Sequence, residues 1–235
     1  KLGDGCGRGE SSPSTPLTPA VGMQKFGSIG LPRPGTRARV GDMDVGTIEV
    51  PAGELGELIV SGPQVMSGYY NRPDETAGAL RNGWLYTGDI AYMDEDGYFY
   101  IVDRKKDMAI VGGDNVYPRE IDEVLLSHPG VKEAVSVAVA HPTRGEMVKA
   151  FVVPKDGVAL TVPEIAGYCR KHLANYKVPR QVEFRDALPR AATGKILRRP
   201  LRNEGIAKFA AEQAARDSSG PENAAAENAA RKKDA

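Results

Sequence analysis

The chain has 235 residues, with 31 basic and 31 acidic side chains, so its formal net charge is zero. That balance provides no global basic field for nucleic acid, and no apolar run approaches the ~18 residues that span a bilayer. Hydrophobic content of 41% and charged content of 26% are those of a globular chain, long enough for one large domain or two small ones.

Cys6 and Cys169 are the only cysteines. They are far apart and have no close Cys or His partner in sequence, a usage that suits a reducing compartment. No stretch reads as a signal peptide. The sequence opens on Lys1 inside a Gly/Ser/Pro/Thr-rich stretch, residues 1–19, that reads as loop. The expectation is a C-terminal piece of a longer protein.

From residue 20 to 103 short extended pieces alternate with turn signals. Arg37–Val40, Thr47–Val50 and Glu57–Val60 are separated by Pro51-Ala52-Gly53, and Gly62-Pro63 follows. This predicts a small antiparallel β unit. Ile90–Met93 and Tyr98–Val102 flank Asp94-Glu95-Asp96-Gly97, the signature of a hairpin.

A joint follows. Asp103-Arg104-Lys105-Lys106-Asp107 places five charges together, Met108 to Val111 is apolar, and Gly112-Gly113 precedes a helix start at Pro118. The charges can stay in water, the apolar piece can form a short strand, and the glycines allow a close backbone approach. Taken alone the run reads first as a charged linker before a strand and a helix.

Residues 104–209 have the texture of a compact domain. Ile121, Val124 and Leu125 share a helical face, and His128-Pro129-Gly130 stops the helix. Val135, Val137 and Val139 alternate as a strand, and Ala150–Val153 reads as another. Thr161 and Glu164 form a capping box ahead of a helix that stacks Ile165, Tyr168, Cys169, His172 and Leu173. Val182 and Phe184 suggest a third strand. The order helix, strand, strand, helix, strand makes the fold class α+β. Leu188–Arg199 leads into a final short helix, and residues 210–235 have too few large apolar side chains to order themselves.

Two loops carry candidate chemistry. Asp89, just after Gly88, can accept two hydrogen bonds from a ribose diol, as the acidic residue of dinucleotide folds does; Arg104 could bracket the same diol. Both are also ordinary turn or strand-end residues. Gly194-Lys195 sets an ammonium at a turn, suited to a carboxylate or phosphate. Arg190, Arg198, Arg199 and Arg202 add local positive charge, and the whole reads alternatively as a solvated basic face.

Taken together these stretches resemble the adenylate-forming acid–CoA ligases. Gly56-Glu57-Leu58 to Gly62-Pro63, Met66-Ser67-Gly68-Tyr69-Tyr70-Asn71-Arg72-Pro73, Gly83–Asp89, Tyr98–Glu120 and Leu188–Arg199 match that superfamily's blocks in order, from about Gly5 to Phe209. Ile101–Met108 and Tyr176-Lys177-Val178-Pro179 look most like the bacterial long-chain fatty-acid CoA ligases. The resemblance implies ATP-dependent activation of a carboxylic acid to acyl-AMP, with Mg²⁺, followed by transfer to CoA. It implies a β-rich end of the large AMP-binding domain over residues 20–103 and a mobile C-terminal domain over 104–209. Asp89 and Arg104 would hold the ribose, Lys106 would be the hinge, and Gly113 would line the pantetheine channel. Lys195 would contact the carboxylate and α-phosphate, and Glu10 would ligate Mg²⁺. Cys6 and Gly9 replace the aromatic and hydroxyl residues of the family's nucleotide block, and the family's phosphate loop and acyl tunnel lie upstream of this sequence. The implied partners are a fatty acid, CoA and the missing N-terminal part. The implied setting is cytoplasmic, with room for peripheral attachment at the inner membrane. Two alternatives stay open: a non-catalytic remnant or interaction module, and a ligase for another acid or a carrier thiol.

Overall fold

The computed structural model describes residues 5–7, 9–12, 14–19, 21–141 and 145–211. The expected unordered tail lies almost wholly outside them. The chain divides into two compact units, Lys1–Asp107 and Met108–Ala235.

The first unit is built from two sheets. The smaller is antiparallel, in the order β1 (Gly5–Gly7), β2 (Ser14–Leu17), β3 (Leu31–Pro32). The larger contains β4 (Arg37–Gly41), β5 (Gly56–Ser61), β6 (Leu80–Arg81), β7 (Trp84–Met93) and β8 (Phe99–Arg104), in the order β4-β5-β7-β6 with β8 also paired to β7. A short helix, α1 (Pro73–Ala79), precedes β6. Val40, Leu58, Val60, Leu85, Ala91 and Phe99 form the core of this sheet. β5 is buried along its whole length because it is central, so its sequence runs apolar rather than alternating.

The predicted Asp-Gly hairpin forms. Tyr92 pairs with Tyr100 and Met93 with Phe99, and Gly97 takes the left-handed conformation at φ +82°. The carboxylate of Asp94 accepts the backbone N–H groups of Asp96 (3.0 Å) and Tyr98 (2.9 Å), closing the turn. The predicted strand at Thr47–Val50 does not form. Asp42 captures the N–H groups of Val45 (2.9 Å) and Ile48 (2.8 Å), curling the chain into a loop. Only the bridge between Gly41 and Glu49 remains. A local side-chain acceptor has won the Ile48 donor that a strand would have used, while the Val50 N–H still donates to the Val40 carbonyl (3.0 Å).

The second unit begins with a tight hairpin of β9 (Ala109–Val111) and β10 (Asp114–Val116). Gly112 and Gly113 both have positive φ, +64° and +97°, the requirement of a two-residue turn matched to strand twist. Then come α2 (Pro118–Leu126), β11 (Val131–His141), β12 (Gly145–Pro154), α3 (Val162–His172), β13 (Gln181–Phe184) and a final helix α4 over residues 198–211. β11 and β12 are antiparallel, whereas β13 runs parallel to β12, with Lys149 opposite Gln181 and Val152 opposite Phe184. That parallel return needs a crossover, and α3 supplies it. The capping box at α3 is present in both directions.

The sheet is covered on both faces. Ala134, Ala138, Val148, Ala150 and Val152 meet Ile121, Leu125, Ile165 and Cys169 of α2 and α3. Val135, Val137, Val139, Phe151 and Val153 meet Leu188 and Leu201 on the other side. The strand alternation of valine with small residues therefore sorts side chains between two helical layers, each fully buried large one contributing about 1.5–3 kcal/mol. His172 is exposed, its Nδ1 beside the Tyr168 carbonyl oxygen (3.0 Å). Burial pushes the Cys169 thiol up to about 11, so it behaves as an inert core residue. No helix among the described residues is long and apolar enough to cross a membrane.

Candidate active site

β7 and β8 place Asp89 directly opposite Arg104. Arg104 Nε lies 3.4 Å from Asp89 Oδ1, with the Asp89 side chain 8% exposed and that of Arg104 41% exposed. A buried acceptor beside a half-exposed guanidinium can receive and donate hydrogen bonds across one vicinal diol.

The corner carrying Asp89 is held by its neighbours. Gly88 turns the strand at φ +68°. Thr87 Oγ1 donates to the Leu58 carbonyl (2.7 Å) and accepts the Asp89 N–H (3.1 Å). Glu57 of β5 accepts the Gly88 N–H on Oε1 (2.9 Å) and the Lys105 ammonium on Oε2 (3.2 Å). The Lys105 N–H also donates to the Gly88 carbonyl (2.8 Å). The sequence places Glu57 at the start of a strand and within a family block without giving its side chain a role. The signal for its role was an acidic residue inside an apolar strand, which must be paired if it is buried.

Lys106 follows in a turn closed by the Asp107 N–H on the Arg104 carbonyl (2.9 Å), next to the division between the units after Asp107. Gly113 sits at the tip of the β9–β10 hairpin, and no heavy atom lies within 4 Å of where a Cβ would project. Glu10 lies on a short 3₁₀ turn, Gly9–Ser11. Its Oε1 accepts the Tyr69 hydroxyl (3.0 Å), and its carbonyl accepts the Met66 N–H (2.8 Å). The Met66–Tyr69 segment is thus tied to Glu10. No cluster of three or more His, Cys, Asp or Glu able to hold a metal occurs among the described residues.

Lys195 is exposed on a small closed hairpin over residues 189–197. The Ala191 N–H donates to the Lys195 carbonyl (2.9 Å), the Gly194 N–H to the Ala191 carbonyl (2.8 Å), and the Leu197 N–H to the Pro189 carbonyl (2.8 Å). Gly194 has φ +84°, so a residue with a Cβ would strain this turn. Leu188 and Ile196 anchor the hairpin in the second core layer, whereas Leu197 remains 39% exposed.

The surrounding arginines are not a free basic patch. Arg190 pairs with Glu133 (2.6 Å), Arg198 with Asp122, and Arg202 with Glu146 (3.2 Å). Asp122, unremarked in the sequence, is 6% exposed. Burial pushes its carboxyl up to about 6, against the attraction of Arg198 and the hydrogen bonds from Ser136 and Arg198. Among the described residues Lys195 and Arg199 are the cations of this stretch without an ion-pair partner.

Asp89 and Arg104 are thus brought into contact, with Lys106 immediately beyond, while Glu10, Gly113 and Lys195 occupy separate elements. Two family models match: AMP-binding enzyme over residues 1–70 and AMP-binding enzyme C-terminal domain over residues 120–195. Together they take in more than half of the chain. The chain is 52% identical over 204 residues to the long-chain-fatty-acid–CoA ligase of Bacillus subtilis, covering 87% of this chain and 36% of that protein. It is 53% identical over 205 residues to the enzyme of the same name from Salmonella typhimurium, with the same coverage. Among solved structures, ATP-bound MatB from Rhodopseudomonas palustris superposes with a TM-score of 0.78 at 36% identity, covering 83% of this chain and 39% of that one. The chain spans about a third of the length of the curated relatives it matches. Two consecutive domain models in family order, on an α+β framework shared with solved members, establish that this chain belongs to the AMP-binding, adenylate-forming enzyme family.

Proposed function

We propose that this chain serves in a long-chain fatty-acid CoA ligase, as the end of the AMP-binding domain and the C-terminal domain that follows it. The observation that carries the reading is the identity of just over half, along 87% of the chain, to ligases of that name. The geometry supports it with a buried carboxylate and a guanidinium in register across two strands, at Asp89 and Arg104.

In this reading a carboxylate oxygen of the fatty acid attacks the α-phosphorus of ATP, the bond to pyrophosphate breaks, and acyl-AMP forms. The thiol of CoA then attacks the acyl carbon and AMP leaves. Asp89 accepts from the ribose hydroxyls and Arg104 donates to them. Lys195 offsets negative charge where the carboxylate meets the phosphate. Glu10 fits Mg²⁺ as one hard oxygen ligand: the residue is partly exposed on the Gly9–Ser11 turn, and Mg²⁺ bound to a nucleotide takes few protein ligands. The ion would neutralise phosphate charge. Gly113, with open space at its Cβ position, would let the pantetheine arm pass close to the backbone. Lys106, beside the division between units, would absorb the backbone rotation that separates the half-reactions.

The test is to express the complete polypeptide containing this segment and measure ATP–pyrophosphate exchange and acyl-CoA formation with a series of fatty acids. Exchange and thioester formation with long-chain acids, both abolished by Asp89→Ala, support the reading. Thioester formation with aryl or short acids alone would reassign the substrate. Absence of exchange from a folded polypeptide would leave the non-catalytic module.

A further inference from the structure

The hairpin that presents Lys195 is tied at both ends to one strand. On the incoming side Arg190 donates to the Gly194 carbonyl (2.6 Å) and to Glu133 Oε1 of β11 (2.6 Å). On the outgoing side Arg198 donates to the Ser136 carbonyl of β11 (2.7 Å) and to Asp122 Oδ2 of α2. Asp122 Oδ1 accepts the Ser136 N–H (2.5 Å). One buried carboxylate therefore joins α2, β11 and the first turn of α4, three residues beyond Lys195.

A carboxylate on the inward face of α2 is a poor way to gain stability, because apolar packing there would serve as well without the desolvation cost. What an ion pair of a planar fork with a carboxylate supplies is direction. The hairpin needs it, because Ile196 is its core contact next to Lys195 while Leu197 is exposed. A misplacement of about 1 Å at a reacting group can slow a reaction ~10²-fold.

The geometry points to Asp122 and Arg198, with Arg190 and Glu133 as a second arm, as positioning residues that fix where the Lys195 ammonium can reach. The inference rests on the adenylation role proposed for Lys195. Both pairs hold the hairpin rather than a reacting atom in this proposal, so their effect falls on the half-reaction that uses Lys195.

The test uses the complete ligase carrying Asp122→Asn or Arg198→Lys. ATP–pyrophosphate exchange is measured separately from CoA transfer to supplied acyl-adenylate. The expected result is exchange slowed about tenfold or more, with little change in KM, and transfer near normal. Ile165→Val on α3, chosen for loss of core packing without contact to the hairpin, should leave the ratio of the two rates unchanged. Glu133→Gln, on a side chain 28% exposed, keeps the test decisive if Asp122→Asn fails to fold, and should give a smaller loss confined to exchange. Equal slowing of both half-reactions by the hairpin variants, or no effect of any, overturns the inference. Lys195→Ala run alongside separates the failures. If it spares exchange, the role of Lys195 is wrong; if it slows exchange while the Asp122, Arg198 and Glu133 variants do not, only the positioning is wrong.

Discussion

Lys195→Ala in the complete ligase is the sharpest perturbation available. The side chain is exposed, and the hairpin is closed by its own backbone and by Leu188 and Ile196 in the core. Truncation should therefore change stability by less than about 0.5 kcal/mol. The rate effect should be far larger. A unit charge about 4 Å from another, at an effective dielectric near 20, contributes about 4 kcal/mol. Loss of one preorganised donor typically costs about 2.7–4 kcal/mol, or roughly 10²–10³ in rate. Arg190, Arg198 and Arg202 cannot stand in, since they are committed to Glu133, Asp122 and Glu146. Arg199→Ala is the matched control, exposed and four residues further along the chain, and should change exchange by less than about twofold. Stopped half-reactions separate the steps: exchange reports adenylation, and supplied acyl-adenylate with CoA reports transfer. Adenylation should fall by two to three orders of magnitude with transfer nearly unchanged. Intact adenylation, or equal loss in both steps, would refute the reasoning and return Gly194-Lys195 to the solvent-facing basic residues.

Lys106→Pro should slow thioester formation more than adenylation, because proline fixes φ near −65° and restricts Lys105 before it; parallel half-reaction rates check this. The 235-residue chain by itself should show no measurable ATP–pyrophosphate exchange, because the donors that would orient a triphosphate are not among its motifs; the assay is exchange in a preparation free of host ligase. Burial alone would raise the Glu183 carboxyl, but Lys149, Lys208 and Arg185 outweigh it and hold it down to about 2, against an ordinary 4.5. Its stabilising contribution is therefore complete above pH 4.5 and is lost as pH falls from there toward 2. Glu183→Gln should weaken the chain at neutral pH by leaving buried Lys149 without its carboxylate, and should flatten acid sensitivity in that window, as read by urea unfolding at several pH values.

Some of this architecture is written in local sequence. The Asp94–Gly97 hairpin, the capping box at Thr161 and Glu164, and the valine alternation at 135, 137 and 139 depend on neighbours a few residues apart, so period and turn chemistry suffice to find them. The loop at Thr47–Val50 was misread for the same reason: its β-branched residues look extended, yet Asp42, five residues upstream of Thr47, takes the donors first.

The family blocks at Gly83–Asp89, Tyr98–Glu120 and Leu188–Arg199 were legible because their residue types and order are specific. What those blocks do in space was not. Asp89 and Arg104 are adjacent only because β7 and β8 pair in one register. The buried role of Glu57 depends on β5 lying beside β7. Four arginines around Lys195 looked like a basic face, and three of them prove to be paired across separations of 56 to 76 residues. Sequence records the charge of each side chain, whereas only the packing of α2, β11, β12 and the Lys195 hairpin decides which charges cancel and which are left facing solvent.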